Sequence, residues 1–414
     1  MQHRGVTSKF LYIYAVQNQP KLKIEFVLLM AALMSLVALS IDAMLPALPD
    51  IGNALNVEDP NKNQLLITMI FLGLGVGQLI LGPLSDSFGR KPVVYIGFVI
   101  FAIASYLCLT TKTFELMIAG RILQGIGLSA MRTVAIAMVR DLYDGDYMAK
   151  ILSIVVMTFI LVPVIAPTLG QWLMDLFNWE AIFVFNLIFG IAVLIWFWQR
   201  QPETLKPEYK IPFTGRLFID GGKEFFRHKD AVAYTLVSGF ITGSFMVWLS
   251  TSQQIFEMQY NLKAEFPYIF ASLAIAVGFS TFTNSRIVVR YGMWKIAYWA
   301  IIAYCLISIS YVLFHLNGNN PSFAILITFF ALQFFSVGFI FGNMRALAMQ
   351  PLGHIAGIGA AINGFISTVM AVPIANYIGS FVDTSVLPLF IGFSIFGILS
   401  LLTFLRIKYK KNLN

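Results

Sequence analysis

Along the 414 residues, long apolar stretches alternate with short polar turns. A helix needs about twenty mostly apolar residues to cross the hydrocarbon core of a bilayer, because every backbone N–H and C=O must be paired internally there. Twelve stretches meet that length: 25–49, 64–84, 92–111, 114–140, 150–174, 179–199, 231–256, 266–287, 293–314, 321–348, 354–380 and 385–406. Six precede and six follow a polar segment at 200–230. The pattern predicts an all-α membrane protein with twelve transmembrane helices in two six-helix, pseudo-symmetric bundles. Its expected parts are an N-terminal segment 1–24, a bundle 25–199, a linker 200–230, a bundle 231–406 and a tail 407–414. The first apolar run is too long for the 7–15 residues of a secretory leader's core, so it reads as a span that stays.

Composition narrows the class. Hydrophobic residues make up 58% of the chain and charged residues 12%, against about 25% charged in soluble domains. Basic residues outnumber acidic ones, 28 to 20. Their placement reads as topology: 22 fall on one alternate set of loops and three, Lys62, Lys112 and Lys263, on the other. Both termini and the linker are thereby expected on the cytoplasmic side of the membrane, with no nucleic-acid partner. Cys108 and Cys305 lie inside apolar runs and read as small fillers, not a disulfide. No phosphate-binding loop, nucleophile elbow or clustered metal ligands is evident, so no enzyme, cofactor or metal is expected, and a monomer suffices.

Charges inside spans are costly and mark functional candidates. Asp42 lies about seven residues from the outer end of the first span, and Arg121 about seven from the outer end of the fourth, at similar depth. Desolvation favours a protonated carboxylate and a nearby cation the ionised one, so hydration that changes between states would let Asp42 carry a proton. A permanent Asp42–Arg121 pair, or a cap on a helix broken before Pro46, is the competing reading. Arg121 and Arg132 are eleven positions apart, about 20° off alignment, and share a face with Gln124. That polar stripe should line a cavity. Arg345, near the inner end of the tenth span, can join Arg132 in attracting an anionic substrate, or serve as an ion pair or snorkelling residue. Gln253, Gln254, Asn343 and Asn363 can bond substrate or tie helices together. His354, expected near the outer side, reads as a helix-start residue and not a proton relay.

The segment Gly82-Pro83-Leu84-Ser85-Asp86-Ser87-Phe88-Gly89-Arg90-Lys91-Pro92 joins a tight turn to an acid and two bases. It resembles motif A of the major facilitator superfamily, with Gly82, Asp86, Gly89, Arg90 and Lys91 as a cytoplasmic gate and Ser87 where Arg is usual. Arg290-Tyr291-Gly292 echoes it weakly in the second half. Arg121-Ile122-Leu123-Gln124-Gly125 is similar to motif B of proton-coupled drug antiporters. The stretch 162–171, with Pro163, Pro167 and Gly170, is similar to the antiporter motif C, with Gln171 replacing its second Gly. Together with Ser40 through Pro49, Val139-Arg140-Asp141-Leu142-Tyr143, Pro202-Glu203-Thr204-Leu205, Ser252-Gln253-Gln254-Ile255-Phe256 and Pro351 through Gly357, these resemble the Bcr/CflA family of multidrug efflux transporters along nearly the whole chain. The resemblance implies the superfamily fold, alternating access and drug/proton antiport, with a small-molecule substrate, protons and the lipid bilayer as partners. A dedicated exporter or importer of one metabolite, such as a siderophore or amino-acid derivative, is the alternative.

Overall fold

The computed structural model describes residues 24–143 and 145–411. The expected segment 1–24, apart from Ile24, and the last three residues of the tail lie outside them, as does the side chain of Lys150. Among the described residues the chain is helical and forms no strand. The long helices are α1 Ile24–Asp42, α2 Leu65–Phe88, α3 Arg90–Thr110, α4 Phe114–Leu142, α5 Gly145–Leu176, α6 Glu180–Arg200, α7 Lys229–Gln253, α8 Phe266–Tyr291, α9 Met293–Phe314, α10 Phe323–Met349, α11 Ala356–Gly379 and α12 Leu387–Lys411. Among the described residues, ten continuous helical stretches are long and apolar enough to cross a membrane; one of them, Phe323–Gly379, holds both α10 and α11, and α5 adds the apolar portion Leu161–Leu176. The chain is thus a bundle of about ten to twelve apolar helices. Large apolar side chains stand out on its surface at helical spacing, as Val99, Ile103 and Tyr106 do on α3 and Trp299, Leu306 and Leu313 on α9. Stripes of that size face lipid, not water.

The first span departs from the expected unbroken helix to residue 49. It stops at Asp42, passes through a 3-10 turn at Leu45–Ala47 and resumes as a short helix, Leu48–Ala54. Pro46 and Pro49 explain the break: each lacks the N–H that a continuing helix would donate four residues back. The 200–230 linker is also more structured than its polarity implied. It contains a 13-residue amphipathic helix, Gly215–Arg227, whose Phe225 is buried with Leu352, Ile358 and Ile362.

Packing repeats between the halves. In the first, α1 packs on α4, α5 and α6, α2 and α3 pack on α4, and α3 packs on α6. In the second, α7 packs on α10, α11 and α12, α8 and α9 on α10, and α9 on α12. The halves meet along two seams, α2 on α11 and α5 on α8. Close approaches rest on small residues. Gly170 on α5 abuts the break in α1 so tightly that a Cβ there would lie 1.9 Å from the Ala43 carbonyl oxygen. Replacing Gly170 by Ala is expected to lower the thermal midpoint of the detergent-solubilised protein in scanning fluorimetry, at a cost of about 1–3 kcal/mol for overpacking. Gly82→Ala, whose added methyl meets nothing within 4 Å, leaves the midpoint unchanged or raises it.

Candidate functional site

Arg121 is fully buried on α4, yet no carboxylate among the described residues pairs with it. Its Nε donates to the Leu66 carbonyl (2.8 Å), Nη1 to Gln124 Oε1 (2.8 Å) and Nη2 to the Ser40 carbonyl (3.0 Å). Ser40 lies in the last turn of α1, where carbonyls have no partner within the helix, so Arg121 caps the broken end. Gln124 extends the network to Ser105 on α3, donating to its Oγ at 2.8 Å. Asp42 is 6% exposed and sits at the same break, one residue before the carbonyl that Gly170 abuts. No hydrogen bond or ion pair joins Asp42 to Arg121, so the static pair considered from the sequence is not formed.

Deeper between the halves, Arg132 and Arg345 line one cavity of about 50 Å³ with Phe71, Leu74, Gln78, Ser129, Thr133, Thr242 and Thr368. The walls come from α2, α4, α7, α10 and α11, so both halves contribute. Neither arginine has a hydrogen-bonded or ion-paired partner among the described residues. The space has room for a few waters and not for a drug-sized molecule. A roomier groove of about 390 Å³ opens between α8, α9 and α10, but its lining, including Trp299, Phe335 and Phe339, is mostly apolar and carries none of the buried charges.

The amides expected to meet substrate are engaged elsewhere. Asn363 donates to Thr235 Oγ1 (2.6 Å), tying α11 to α7, and Asn343 to Asn284 Oδ1 (2.8 Å), tying α10 to α8. Gln253 donates to Glu257 (2.6 Å) in the π-helical turn Gln254–Gln259. Gln254 donates to Asn61 Oδ1 (2.8 Å) and accepts from Gln64 Nε2 (3.0 Å), and Gln64 also donates to the Gly379 carbonyl (3.1 Å). This knot of amides closes the far end of the α2–α11 seam. Asn61 and Gln64 were not anticipated; their signal is a pair of amides immediately before an apolar span.

The linker end of the seam carries the charged turn. Gly89 takes φ +113°, a backbone that favours glycine, and lets α3 start at once. Arg90 makes a forked pair with Asp141 on α4, through Nε (2.9 Å) and Nη2 (3.1 Å), while its Nη1 bonds Ser85 Oγ and Asp86. Asp86 in turn reaches the first turn of α11, where a Cβ on Gly357 would lie 3.2 Å from its Oδ2. A carboxylate is well placed against a helix N-terminus. Lys91 donates weakly to the Trp198 carbonyl, Ser87 bonds its own helix at the Pro83 carbonyl (3.2 Å), and Gly82 packs against nothing. Pro163 and Pro167 lie inside α5, beside Gly170. Glu203 accepts four backbone N–H groups, from Arg90, Lys91, Thr204 and Leu205, at 2.9–3.0 Å. The sequence places Asp141 and Glu203 within family-like segments but gives neither a partner; the fold brings both to Arg90 from 51 and 113 positions away. His354 is a correction. It lies in the α10–α11 turn, its Nε2 3.3 Å from Oε1 of Glu224 in the linker, so it is at the linker end and not the outer side. Each span reverses the chain, and the turns after the sixth and tenth spans share a face.

A family model described as Major Facilitator Superfamily matches residues 30–375. The chain belongs to the major facilitator superfamily. It is therefore a multi-pass membrane protein of a family of transporters. Among its relatives, the bicyclomycin resistance protein homolog of Haemophilus influenzae is 29% identical over 278 residues, 66% of this chain and 69% of that one. The multidrug resistance protein MdtL of Shewanella oneidensis is 25% identical over 325 residues, 78% and 81% of the two chains. An uncharacterized MFS-type transporter of Bacillus subtilis, YdgK, is 26% identical over 371 residues, 87% and 90%. The solved structure of the human organic anion transporter MFSD10 superposes with TM-score 0.69 at 16% identity, covering 94% of this chain and 99% of that one, and shows the shared superfamily fold.

Glu203 supplies a pH test of the linker clasp. Burial opposes its ionisation, but the four backbone donors outweigh burial and hold it below the usual carboxylate value of 4.5. Because the folded value is depressed, the contact contributes fully above about pH 4.5 and is lost as pH falls through the lower folded value. Thermal midpoints measured from pH 7 to pH 3 are expected to show an acid-dependent loss in wild type that Glu203→Gln lacks.

Proposed function

We propose that this major facilitator exports small amphipathic molecules across the bacterial inner membrane in exchange for protons, by alternating access between two six-helix bundles. The observation that carries this is Asp42: a buried carboxylate, free of any ion pair, at a break in α1 held on one side by Arg121 and on the other by Gly170. An acid in that place takes a proton when its cavity opens to the outside and releases it when the cavity opens inward. Arg121 supplies fixed positive charge beside the break, and the repeated packing of α1–α6 and α7–α12 supports two bodies rocking about the α2–α11 and α5–α8 seams. The linker end is cytoplasmic in this reading, in line with the 22-to-three distribution of Lys and Arg. The names of the Haemophilus and Shewanella relatives, which concern bicyclomycin and multidrug resistance, support efflux as the direction.

In proteoliposomes loaded with acid and followed with a pH dye, addition of a substrate is expected to release protons from wild type and not from Asp42→Asn. Full gradient-driven exchange by Asp42→Asn would remove that residue from the mechanism.

One observation favours a narrower reading. Arg132 and Arg345 face a shared cavity with no acid to neutralise them, an arrangement that attracts a carboxylate or phosphate on a dedicated metabolite. Under this reading Arg132→Ala and Arg345→Ala each weaken an anionic substrate by about 1.5–3 kcal/mol, roughly ten- to a hundredfold, and spare neutral ones. Competition binding of charged and neutral members of one chemical series measures this; equal loss for both assigns the arginines a structural part.

A further inference from the structure

Three groups at the linker end are not used by the transport reading. Glu224 and His228 are four residues apart at the end of the linker helix, so they share a face. His354 comes to them from the turn between α10 and α11. Spacing along the chain shows no metal cluster; the fold assembles one. Glu224 Oε1 lies 3.1 Å from His228 Nε2 and 3.3 Å from His354 Nε2, and the three atoms all lie within 4.8 Å of one another.

Around tetrahedral zinc, with bonds of about 2.0–2.1 Å, neighbouring ligand atoms stand about 3.3–3.4 Å apart. Both Glu–His spacings are therefore close to edges of such a tetrahedron. The remaining edge, between the two imidazoles, closes by rotation of His354, whose side chain is 56% exposed and free to turn. The second carboxylate oxygen, Oε2, lies 3.8 Å from Arg227 Nη1 in a long surface ion pair, which leaves Oε1 to the histidines. Access is open, since Glu224 and His228 are about a third exposed.

We infer that Glu224, His228 and His354 form a site for a divalent transition metal of the zinc type, with three protein ligands and a fourth position left to water. Two imidazoles and one carboxylate suit zinc, cobalt, nickel or copper, and suit magnesium or calcium poorly because those ions take oxygen ligands in larger number. The metal would join the linker helix to the turn that starts α11. That start carries Ile358, which packs on Gly221 of the linker helix, and Gly357, against which Asp86 closes the seam. A bound metal thus braces the linker end of the α2–α11 seam and slows its opening. This last step rests on the proposed transport cycle; metal binding itself does not.

The test uses the full chain in detergent, purified without a polyhistidine tag. Titration with Co2+ is followed by visible absorption, and Zn2+ by calorimetry. The expected result is one Co2+ per chain with the intense ligand-field bands of tetrahedral cobalt, displaced by Zn2+. Glu224→Gln, His228→Ala and His354→Ala each weaken binding at least about tenfold, whereas His315→Ala, on a histidine stacked on Tyr311, leaves it unchanged. Because His354 is exposed, His354→Gln keeps the test open where another variant fails to fold. Absence of tetrahedral bands in wild type, or wild-type binding by His354→Ala, overturns the site and leaves the trio as a hydrogen-bonded cluster. In proteoliposomes, Zn2+ is expected to slow wild-type flux and spare His354→Ala. Cobalt binding with flux indifferent to Zn2+ overturns the brace, and cobalt binding with no proton-coupled flux for any substrate counts against the transport reading alone.

Discussion

A guanidinium buried without a counter-ion organises the first half of this transporter. In lipid no water can solvate Arg121, so its donors must find acceptors supplied by the protein. They find them at the Ser40 carbonyl, left spare at the broken end of α1, at the Gln124 side-chain oxygen, and at the Leu66 carbonyl, which accepts through its second lone pair. Pro46 and Pro49 interrupt α1, the Ser40 carbonyl is left without a helical partner, and Arg121 takes it together with the first turn of α2. The break in turn fixes where Asp42 stands, and Gly170 lets α5 close over it. The motif B arginine, the prolines of α1 and the motif C glycine are thereby parts of one local arrangement.

In the proposed transport cycle the seam between α2 and α11 must hold two halves together and leave them separable. Large apolar interlocks would resist opening. The chain instead uses a charged turn at one end, Asp86 against the start of α11, and a knot of amides at the other, Gln64 with Gln254 and the Gly379 carbonyl. Such polar contacts can exchange with water as an end opens, at a modest net cost. Between them Arg132 and Arg345 remain unneutralised, so the cavity offers positive charge that nothing in the described protein uses up. The linker takes part as well, through Glu203 beneath the α2–α3 turn and through its helix, which packs on α11.

The sequence by itself determined the class, the approximate places of the apolar helices and the superfamily, because apolar length is a direct consequence of bilayer thickness and motif A is long. It also singled out Arg121, Gln124, Arg132 and Arg345, since a charge or amide inside an apolar run is conspicuous without any neighbour. Tertiary structure decided what those groups do. Only the fold places Arg121 on carbonyls rather than on Asp42, turns Gln254, Asn343 and Asn363 to other helices, and brings Arg345 to Arg132 from the other half of the chain. It also brings His354 to Glu224 and folds a helix in a linker that reads as polar coil. The physical reason is common to all of these. Apolar periodicity is set by each segment's contact with lipid, whereas a polar side chain takes its role from whichever partner packing delivers, and that partner lies 55 residues from Arg121 at Leu66 and 193 from Gln254 at Asn61.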